Sequence, residues 1–274
     1  MKNNRPPRVD ILGIKVDRLT IPEANNIISS LVSKNSSKSF YVVKPYVEFF
    51  KKAENNPALK DIINNADLVL ADGISLQWAA SYLYANPLTS KPKLLASLFF
   101  WLQNESWRNS IIPAKMAGAN QTIPLFSLAA QHGWRIGIIG GREPVKRKKA
   151  IFKKFPKLKY LAVWNGYYDQ SSEAMMIKEI KSSRLDILFV ATGFSKQEQF
   201  IAKYLDNNLA TVLIGEGGTF DYKEFGGDIK RAPHWIQRTG LEWLWRLAIQ
   251  PTRVIRQLGS LGFVFRVRKQ AKKL

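Results

Sequence analysis

Cysteine is absent from the 274-residue chain, and histidine occurs only twice, at His132 and His234. Without cysteine the protein has no disulfide framework, no thiolate zinc site and no thiol nucleophile, which agrees with a reducing cytosol. The two histidines are isolated from each other in the sequence and do not indicate a metal site. We therefore expect no metal site and no cofactor.

Long apolar runs are missing as well. No segment reaches the roughly 20 apolar residues needed to span a bilayer, and the nearest candidate, Leu94–Leu102, is long enough only to lie in an interface. The first ten residues, Met1–Asp10, contain charges and two prolines without an apolar run behind them. This pattern argues against a secretory signal peptide.

Acidic residues are scarce, with 21 against 42 lysines and arginines, and the net charge is +21. Residues 230–274 contain eleven lysines and arginines and one acidic residue, Glu242, so they contribute a charge of +10. Tryptophan, phenylalanine and leucine are interleaved with these cations. Each cation near an anionic membrane contributes about 1 kcal/mol of attraction. The pattern predicts a body, residues 1–229, and a basic, aromatic and amphipathic C-terminal helical appendage, residues 230–274, that faces a membrane.

A second interpretation of the charge is binding to nucleic acid, since an isoelectric point of about 10.1 suits a phosphate backbone. Neither a helix-turn-helix nor a zinc or RNA-recognition signature is apparent, so we do not expect nucleic acid among the partners. Salt-dependent binding to DNA, but not to anionic liposomes, would favour this alternative.

Short apolar runs alternate with helical patterns along the body. This alternation predicts an α/β fold with a Rossmann-like, mostly parallel sheet and helices on both faces. Ligands of such sheets bind at the carboxyl ends of the strands. The predicted strands are Val9–Ile14, Phe40–Val43, Leu68–Ala71, Arg135–Gly140, Tyr160–Trp164, Ile187–Ala191 and Thr211–Ile214, and the clearest predicted helices are Pro22–Val32, Pro57–Ala66 and Gln197–Leu205.

Glycine and polar residues follow several predicted strands. They form Asp72-Gly73, Gly140-Gly141, Gly193-Phe194-Ser195-Lys196-Gln197-Glu198 and Gly215-Glu216-Gly217-Gly218-Thr219-Phe220-Asp221. Paired glycines allow a phosphate to approach the backbone, and a carboxylate can act as a general base. Neither a Gly-x-Gly-x-x-Gly fingerprint nor a Gly-Lys-Ser/Thr loop is present, which argues against a dehydrogenase or a kinase. A tight turn is enough to explain the glycines of any one of these loops. A shared diphosphate or sugar site explains why similar loops follow several strands.

Several of these strings resemble the motifs of the WecG/TagA/CpsF glycosyltransferases. The resemblance runs from about Val9 to Arg256 and is carried by Ala71-Asp72-Gly73, Gly140-Gly141, Gly193 to Glu198, Arg231-Ala232-Pro233, Gly240 to Leu247, and Pro251, Arg253 and Arg256. It implies transfer of an N-acetylhexosamine, often N-acetylmannosamine, from UDP to an undecaprenyl-diphosphate-linked sugar. It also implies a peripheral enzyme at the cytoplasmic face of the membrane that works without a metal, and no Asp-x-Asp motif is present.

The resemblance also implies roles for single residues. Asp72 matches the catalytic base, Gln197 a sugar-site or nucleotide-site residue, and Arg246, Arg253 and Arg256 the arginines that stabilise the departing UDP. Asp221 matches an aspartate near the uridine. The full set of predicted substrate-binding residues is Lys44, Tyr46, Gly140, Gly141, Gly193, Lys196, Glu198, Glu216, Gly217, Asp221 and Arg231.

The chain departs from the family pattern at two places. It has Lys44-Pro45-Tyr46 where Thr-x-Asn is usual, and Gly118-Ala119-Asn120 where Gly-x-Asp is common. These two departures leave the identity of the transferred sugar open. Lys44 is expected either to hold the diphosphate or to extend outward from the end of a strand. A nicotinamide or S-adenosylmethionine enzyme on a Rossmann-like sheet is a further alternative, and protection of the fold by UDP rather than NAD would separate the two. The sequence does not determine whether the protein forms a homo-oligomer.

Overall fold

The computed structural model describes residues 5–34, 36–85, 94–239, 242–250 and 254–274. A six-stranded sheet forms the centre of the protein, and all of its strand pairs are parallel. Its strands are β3 (Phe40–Val43), β4 (Leu68–Val69), β5 (Arg135–Ile139), β6 (Tyr160–Trp164), β7 (Leu185–Val190) and β8 (Ala210–Gly215), in the spatial order β4-β3-β8-β7-β5-β6. The predicted parallel α/β fold is confirmed.

Preceding the sheet, one predicted strand is wrong. The run Val9–Ile14 is divided into an antiparallel hairpin of β1 (Arg8–Ile11) and β2 (Ile14–Asp17). The chain reverses at Leu12 and Gly13, which have positive φ angles of 50° and 81°. Because glycine adopts such angles at little cost, Gly13 permits a turn inside an otherwise strand-like apolar run.

Helices connect the strands and cover the sheet. They are α1 (Ile21–Val32), α2 (Val47–Glu54), α3 (Pro57–Asn65), α4 (Ile74–Tyr84), α5 (Leu94–Gln103), α6 (Glu105–Arg108), α7 (Gly118–His132), α8 (Pro144–Lys154), α9 (Gln170–Ser182), α10 (Lys196–Tyr204), α11 (His234–Thr239), α12 (Glu242–Ile249) and α13 (Val254–Ala271). Local sequence fixes several starts; α1 begins after Thr20, whose hydroxyl caps the helix while Glu23 completes a capping box. The predicted helices are confirmed to within two residues at each end.

The core has two parts, one on each face of the sheet. Alternate residues of the same strand point to opposite faces, so Leu188 and Val190 enter one cluster while Ile187 and Phe189 enter the other. Residues of α2, α3, α4, α9 and α10 join the first cluster, and residues of α1, α7 and α8 join the second. Strands that are apolar on both sides therefore require the helices on both faces that the sequence predicted.

The C-terminal helix α13 packs against the body through its final turns. Phe263 and Val267 are fully buried, and the ring of Phe263 lies 5.3 Å from that of Phe50 on α2. Gln270 accepts a hydrogen bond from the Leu12 backbone N–H at 2.8 Å, and Phe265 on the other face is 62% exposed. The division into a body and an appendage stays a prediction, but these turns are part of the folded core.

Candidate active site

Three glycines line the carboxyl edge of the sheet. Gly73 follows the end of β4, Gly193 follows β7 and Gly217 follows β8, with φ angles of 114°, 93° and 61°. A β-carbon added to any of them would meet no other atom within 4 Å. The backbone at these positions therefore faces open space, and glycine allows a ligand to approach it closely. We call this edge, with the side chains around it, the rim.

Asp72 is the carboxylate of the rim. Pairing continues past β4, since Asp72 N–H donates to the Pro45 carbonyl at 2.9 Å and Ala71 accepts from the Met116 N–H at 2.7 Å. The side chain is partly buried. Burial raises the pKa of Asp72 to about 6, the nearby Glu216 and Glu242 act in the same direction, and Lys44 and Arg246 oppose them. A held carboxylate with a pKa near neutrality suits a general base.

Beneath the rim, Lys44 and Glu216 form an ion pair, and each is only 4% exposed. The Lys44 ammonium also donates to Gln121 Oε1 at 3.1 Å, while Glu216 Oε1 accepts from the Thr122 hydroxyl at 2.6 Å. Gln121 and Thr122 both belong to α7. The start of this helix lies close to the loop after β8 because Gly118 has no side chain there, and a β-carbon on it would overlap the Thr219 hydroxyl. Lys44 and Glu216 thus lie close to Asp72, but their charged groups point into the protein.

Gln197 and Glu198 join the loops after β7 and β8. The Gln197 carbonyl oxygen accepts from Gly217 N–H at 3.1 Å, and its amide donates to Glu198 Oε1 at 2.7 Å. Glu198 is fully buried and accepts from the Ser195 N–H at 2.7 Å. Burial raises the pKa of Glu198 to about 7 despite these hydrogen bonds. The two side chains hold the shape of the rim, while Lys196 is exposed beside it.

Ser195 has the unusual backbone angles φ 74° and ψ −43° at the start of α10. Such angles are costly for a residue other than glycine, by about 1–3 kcal/mol, and strained residues of this kind cluster at functional sites. The hydrogen bond from the Ser195 N–H to Glu198 helps to maintain the conformation. The strain is located in the loop that carries Gly193.

Of the three predicted tail arginines, Arg246 is the one whose side chain the structure describes, and it lies at the rim. It donates to the Gly218 carbonyl at 3.3 Å, and its guanidinium lies 4.9 Å from the centre of the Tyr222 ring. A β-carbon on Gly218 would lie 3.0 Å from Asp221 Oδ2 and 3.3 Å from Arg246 Nη2, so Asp221 and Arg246 flank this glycine. Arg253 lies outside the described residues, as does the side chain of Arg256.

Arg231 connects the helices after the sheet to α7. Its guanidinium binds Asn120, the residue that departs from the family pattern, and lies 3.6 Å from both Glu224 and Glu242. Glu242 also accepts a hydrogen bond from the Tyr222 hydroxyl at 3.2 Å. The start of α12 is thereby fixed over the loop that follows β8.

Other predicted site residues lie further along the rim. Gly140 N–H donates to the Trp164 carbonyl at 3.1 Å, and the Gly141 carbonyl accepts from Gly166 N–H at 2.9 Å. A β-carbon on Gly166 would lie 2.8 Å from Gly140 Cα, so Gly166 allows the loop after β6 to approach these two glycines. Tyr46 immediately precedes α2, with its ring 5.9 Å from that of Phe194 in the loop after β7. The binding roles of these residues stay predictions.

Sequence reasoning overlooked several residues of this region. Arg147 lies in a lysine-rich run of the kind that usually forms a solvated helix face, but it is 4% exposed and donates to the carbonyls of Phe220 and Phe225. Its helical spacing with Ile151, four residues on, was the available signal. Lys115, whose pKa burial lowers, was also overlooked. Among the described residues no group of three or more histidine, aspartate or glutamate side chains is arranged to hold a metal, and metal independence stays a prediction.

The open rim of this parallel α/β sheet carries a carboxylate whose pKa lies near neutrality and an arginine. This arrangement is typical of an enzyme that binds a small anionic ligand. The model of the glycosyl transferase WecG/TagA/CpsF family matches residues 9–109 and 105–274. The chain therefore belongs to this family, as the motifs predicted, and is a glycosyltransferase.

Curated relatives match nearly the whole chain. The N-acetylglucosaminyldiphosphoundecaprenol N-acetyl-beta-D-mannosaminyltransferase of Staphylococcus aureus strain NCTC 8325 / PS 47 is 25% identical over 269 residues, which cover 97% of this chain and 94% of that protein. The protein of the same name from strain COL matches to the same extent. Within the described part of the chain, no helix is both long and apolar enough to cross a membrane.

Proposed function

We propose that the protein is an inverting glycosyltransferase that moves an N-acetylhexosamine from a UDP-sugar to a sugar linked to undecaprenyl diphosphate. The observation that carries the proposal is Asp72, a partly buried carboxylate with a raised pKa at an open, glycine-lined rim. N-acetylmannosamine is the first donor sugar to test, since the curated relatives are named for its transfer. The polymer being built would be a cell-surface polysaccharide.

In the proposed reaction Asp72 takes the proton of the acceptor hydroxyl. The hydroxyl oxygen then forms a bond to the anomeric carbon as the bond from that carbon to the phosphate oxygen breaks. The electron pair of the broken bond leaves with UDP, and a single displacement inverts the anomeric configuration. A base with a pKa near neutrality is ionised at working pH and still holds the transferred proton well.

Arg246 is proposed to stabilise the departing diphosphate. It lies beside Gly218 and Asp221, next to the open backbone of Gly217. Negative charge develops on the leaving group, and a guanidinium already aimed at it is worth about 3–4 kcal/mol of barrier in comparable sites. Arg253 and Arg256 are proposed to add to this charge, and Asp221 to contact the uridine.

The membrane contact is proposed for the C-terminal helix at the cytoplasmic face. Phe265 is exposed, and so are the cations of the last turns, Arg268, Lys269, Lys272 and Lys273. An exposed aromatic ring among cations suits the headgroup region of an anionic bilayer. The enzyme would then meet its lipid-linked acceptor as a peripheral protein.

The test is an assay of UDP release in detergent, with a panel of UDP-sugars and polyprenyl-diphosphate-linked N-acetylglucosamine. We expect release with one UDP-N-acetylhexosamine, dependent on the acceptor, and a product whose anomeric configuration by NMR is opposite to that of the donor. Thermal protection by UDP but not by NAD or S-adenosylmethionine is expected in parallel. Retained configuration, or protection by NAD alone, would contradict the proposal.

A further inference from the structure

Three ionisable side chains lie in a row at the carboxyl ends of three adjacent strands. The sheet order β4-β3-β8 places Asp72, Lys44 and Glu216 side by side, although Lys44 and Glu216 are far apart in the sequence. The Asp72 backbone is hydrogen-bonded to Pro45, the residue after Lys44. The position of Asp72 is therefore tied to the strand that carries the lysine.

The Lys44–Glu216 pair is committed to protein contacts. Lys44 binds Glu216 and Gln121, Gln121 donates in turn to Asn25 at 3.2 Å, and Glu216 accepts from Thr122. Both charged side chains are almost completely buried. A buried ion pair rarely adds stability over apolar side chains, since the cost of removing the charges from water offsets their attraction. Stability alone thus gives no reason for this pair to lie here.

The two charges act on Asp72 in opposite directions. Lys44 favours the ionised carboxylate and lowers its pKa, whereas Glu216 disfavours ionisation and raises it, with the lysine exerting the larger effect. Other charged groups also face Asp72: Arg246 and Glu242 on α12, and Lys115 in the segment before α7. The experiment below leaves these three groups unchanged.

We propose that Lys44 and Glu216 are a positioning pair that sets the charge balance around Asp72 from inside the protein and does not touch the substrate. The proposal rests on the proposed function, in which Asp72 is the base. It assigns Lys44 a role other than binding the diphosphate. The pair determines how far into acid the enzyme keeps its activity.

The test compares Glu216→Gln with the double variant Lys44→Met/Glu216→Gln by the pH dependence of kcat/KM. In E216Q the uncompensated Lys44 charge stabilises the Asp72 carboxylate, so the acidic limb moves to lower pH by about one unit. In the double variant both charges are removed. Because Lys44 lowers the pKa of Asp72 more than Glu216 raises it, the acidic limb moves to a higher pH than in the wild type. KM for the UDP-sugar stays within about twofold in both, since neither side chain contacts the donor.

Removal of the surface pair Lys203–Glu173 by Lys203→Met/Glu173→Gln is the matched control, with an acidic limb like that of the wild type. The double variant buries no unpaired charge, so it carries the test alone if E216Q does not fold. An unmoved limb in that variant, or a tenfold rise in KM for the donor, would overturn the proposal and favour direct diphosphate binding by Lys44. Asp72→Asn separates the two levels: full activity there refutes the proposed function, whereas an inactive D72N with unmoved limbs refutes only the positioning role.

Discussion

Replacement of Asp72 by asparagine is expected to stabilise the protein while it abolishes turnover. The pKa of Asp72 is about 6 in the folded protein against an ordinary value of 3.8. This rise is about 2 units, and each unit corresponds to about 1.36 kcal/mol, so the ionised carboxylate costs the folded state up to about 3 kcal/mol. Asparagine has a similar shape and no charge, so it does not carry this cost.

The sign of the pH dependence follows from proton binding. Between about pH 4 and pH 6 the folded wild type holds a proton on Asp72 that the unfolded chain has lost. The contribution of Asp72 to the free energy of unfolding therefore falls as pH rises through this window and is constant above it. We expect D72N to exceed the wild type by about 2–3 kcal/mol at pH 8 and to match it below about pH 4.

Denaturant unfolding followed by circular dichroism, at intervals from pH 4 to pH 8, measures this difference. Asp61→Asn, at an exposed position on α3, is the matched control, for which no comparable gain with pH is expected. Turnover of D72N should fall by about 100-fold or more, the usual contribution of a positioned base. Equal stability of D72N and the wild type at pH 8 would show that the pKa of Asp72 is not raised in the folded protein and would refute the reasoning.

Three further changes test the structure around the site. Arg147→Met should lower the free energy of unfolding by about 1–3 kcal/mol, because two buried carbonyls lose their donor. The same change should weaken UDP binding measured by calorimetry. An unchanged free energy of unfolding would contradict the structural role of Arg147. Gly118→Ala should cost about 1–3 kcal/mol by overlap with Thr219, measured by thermal unfolding, and an unshifted midpoint would contradict that packing. Phe265→Ser should weaken co-sedimentation with phosphatidylglycerol vesicles while the matched Met175→Ser, at another exposed site, should not; equal binding would argue against a membrane role for this face of α13.

Local pattern was sufficient for the elements of the fold and for the composition of the rim. The apolar runs from Phe40–Val43 to Thr211–Ile214 predicted strands because a strand buried on both faces has no polar positions. Their alternation with helices predicted parallel pairing, and ligand sites of parallel sheets lie at the carboxyl ends. The family motifs around Asp72, Gly140 and Gly193 lie in the loops after these strands, and the remaining motifs lie in the C-terminal segment after the sheet.

Local pattern failed where the outcome depended on a neighbour from elsewhere in the chain. Val9–Ile14 has the composition of one strand, yet Gly13 allows it to fold back on itself. On α13, Phe263 and Val267 are buried whereas Phe265 is exposed, since only the position of α2 and the first hairpin decides which side of that helix is covered.

The sequence by itself determined the class of fold, the edge of the sheet at which a ligand is predicted to bind, and Asp72 as the carboxylate of that edge. Only the tertiary structure decided which charges act on that carboxylate, because the order of the strands in the sheet differs from their order along the chain. It placed Lys44 against Glu216 beneath the rim and Arg246 beside it, and it buried Arg147 although its neighbours along the chain are lysines. Charges act through space and through the solvent they lose, and both depend on packing between residues that are distant in the sequence.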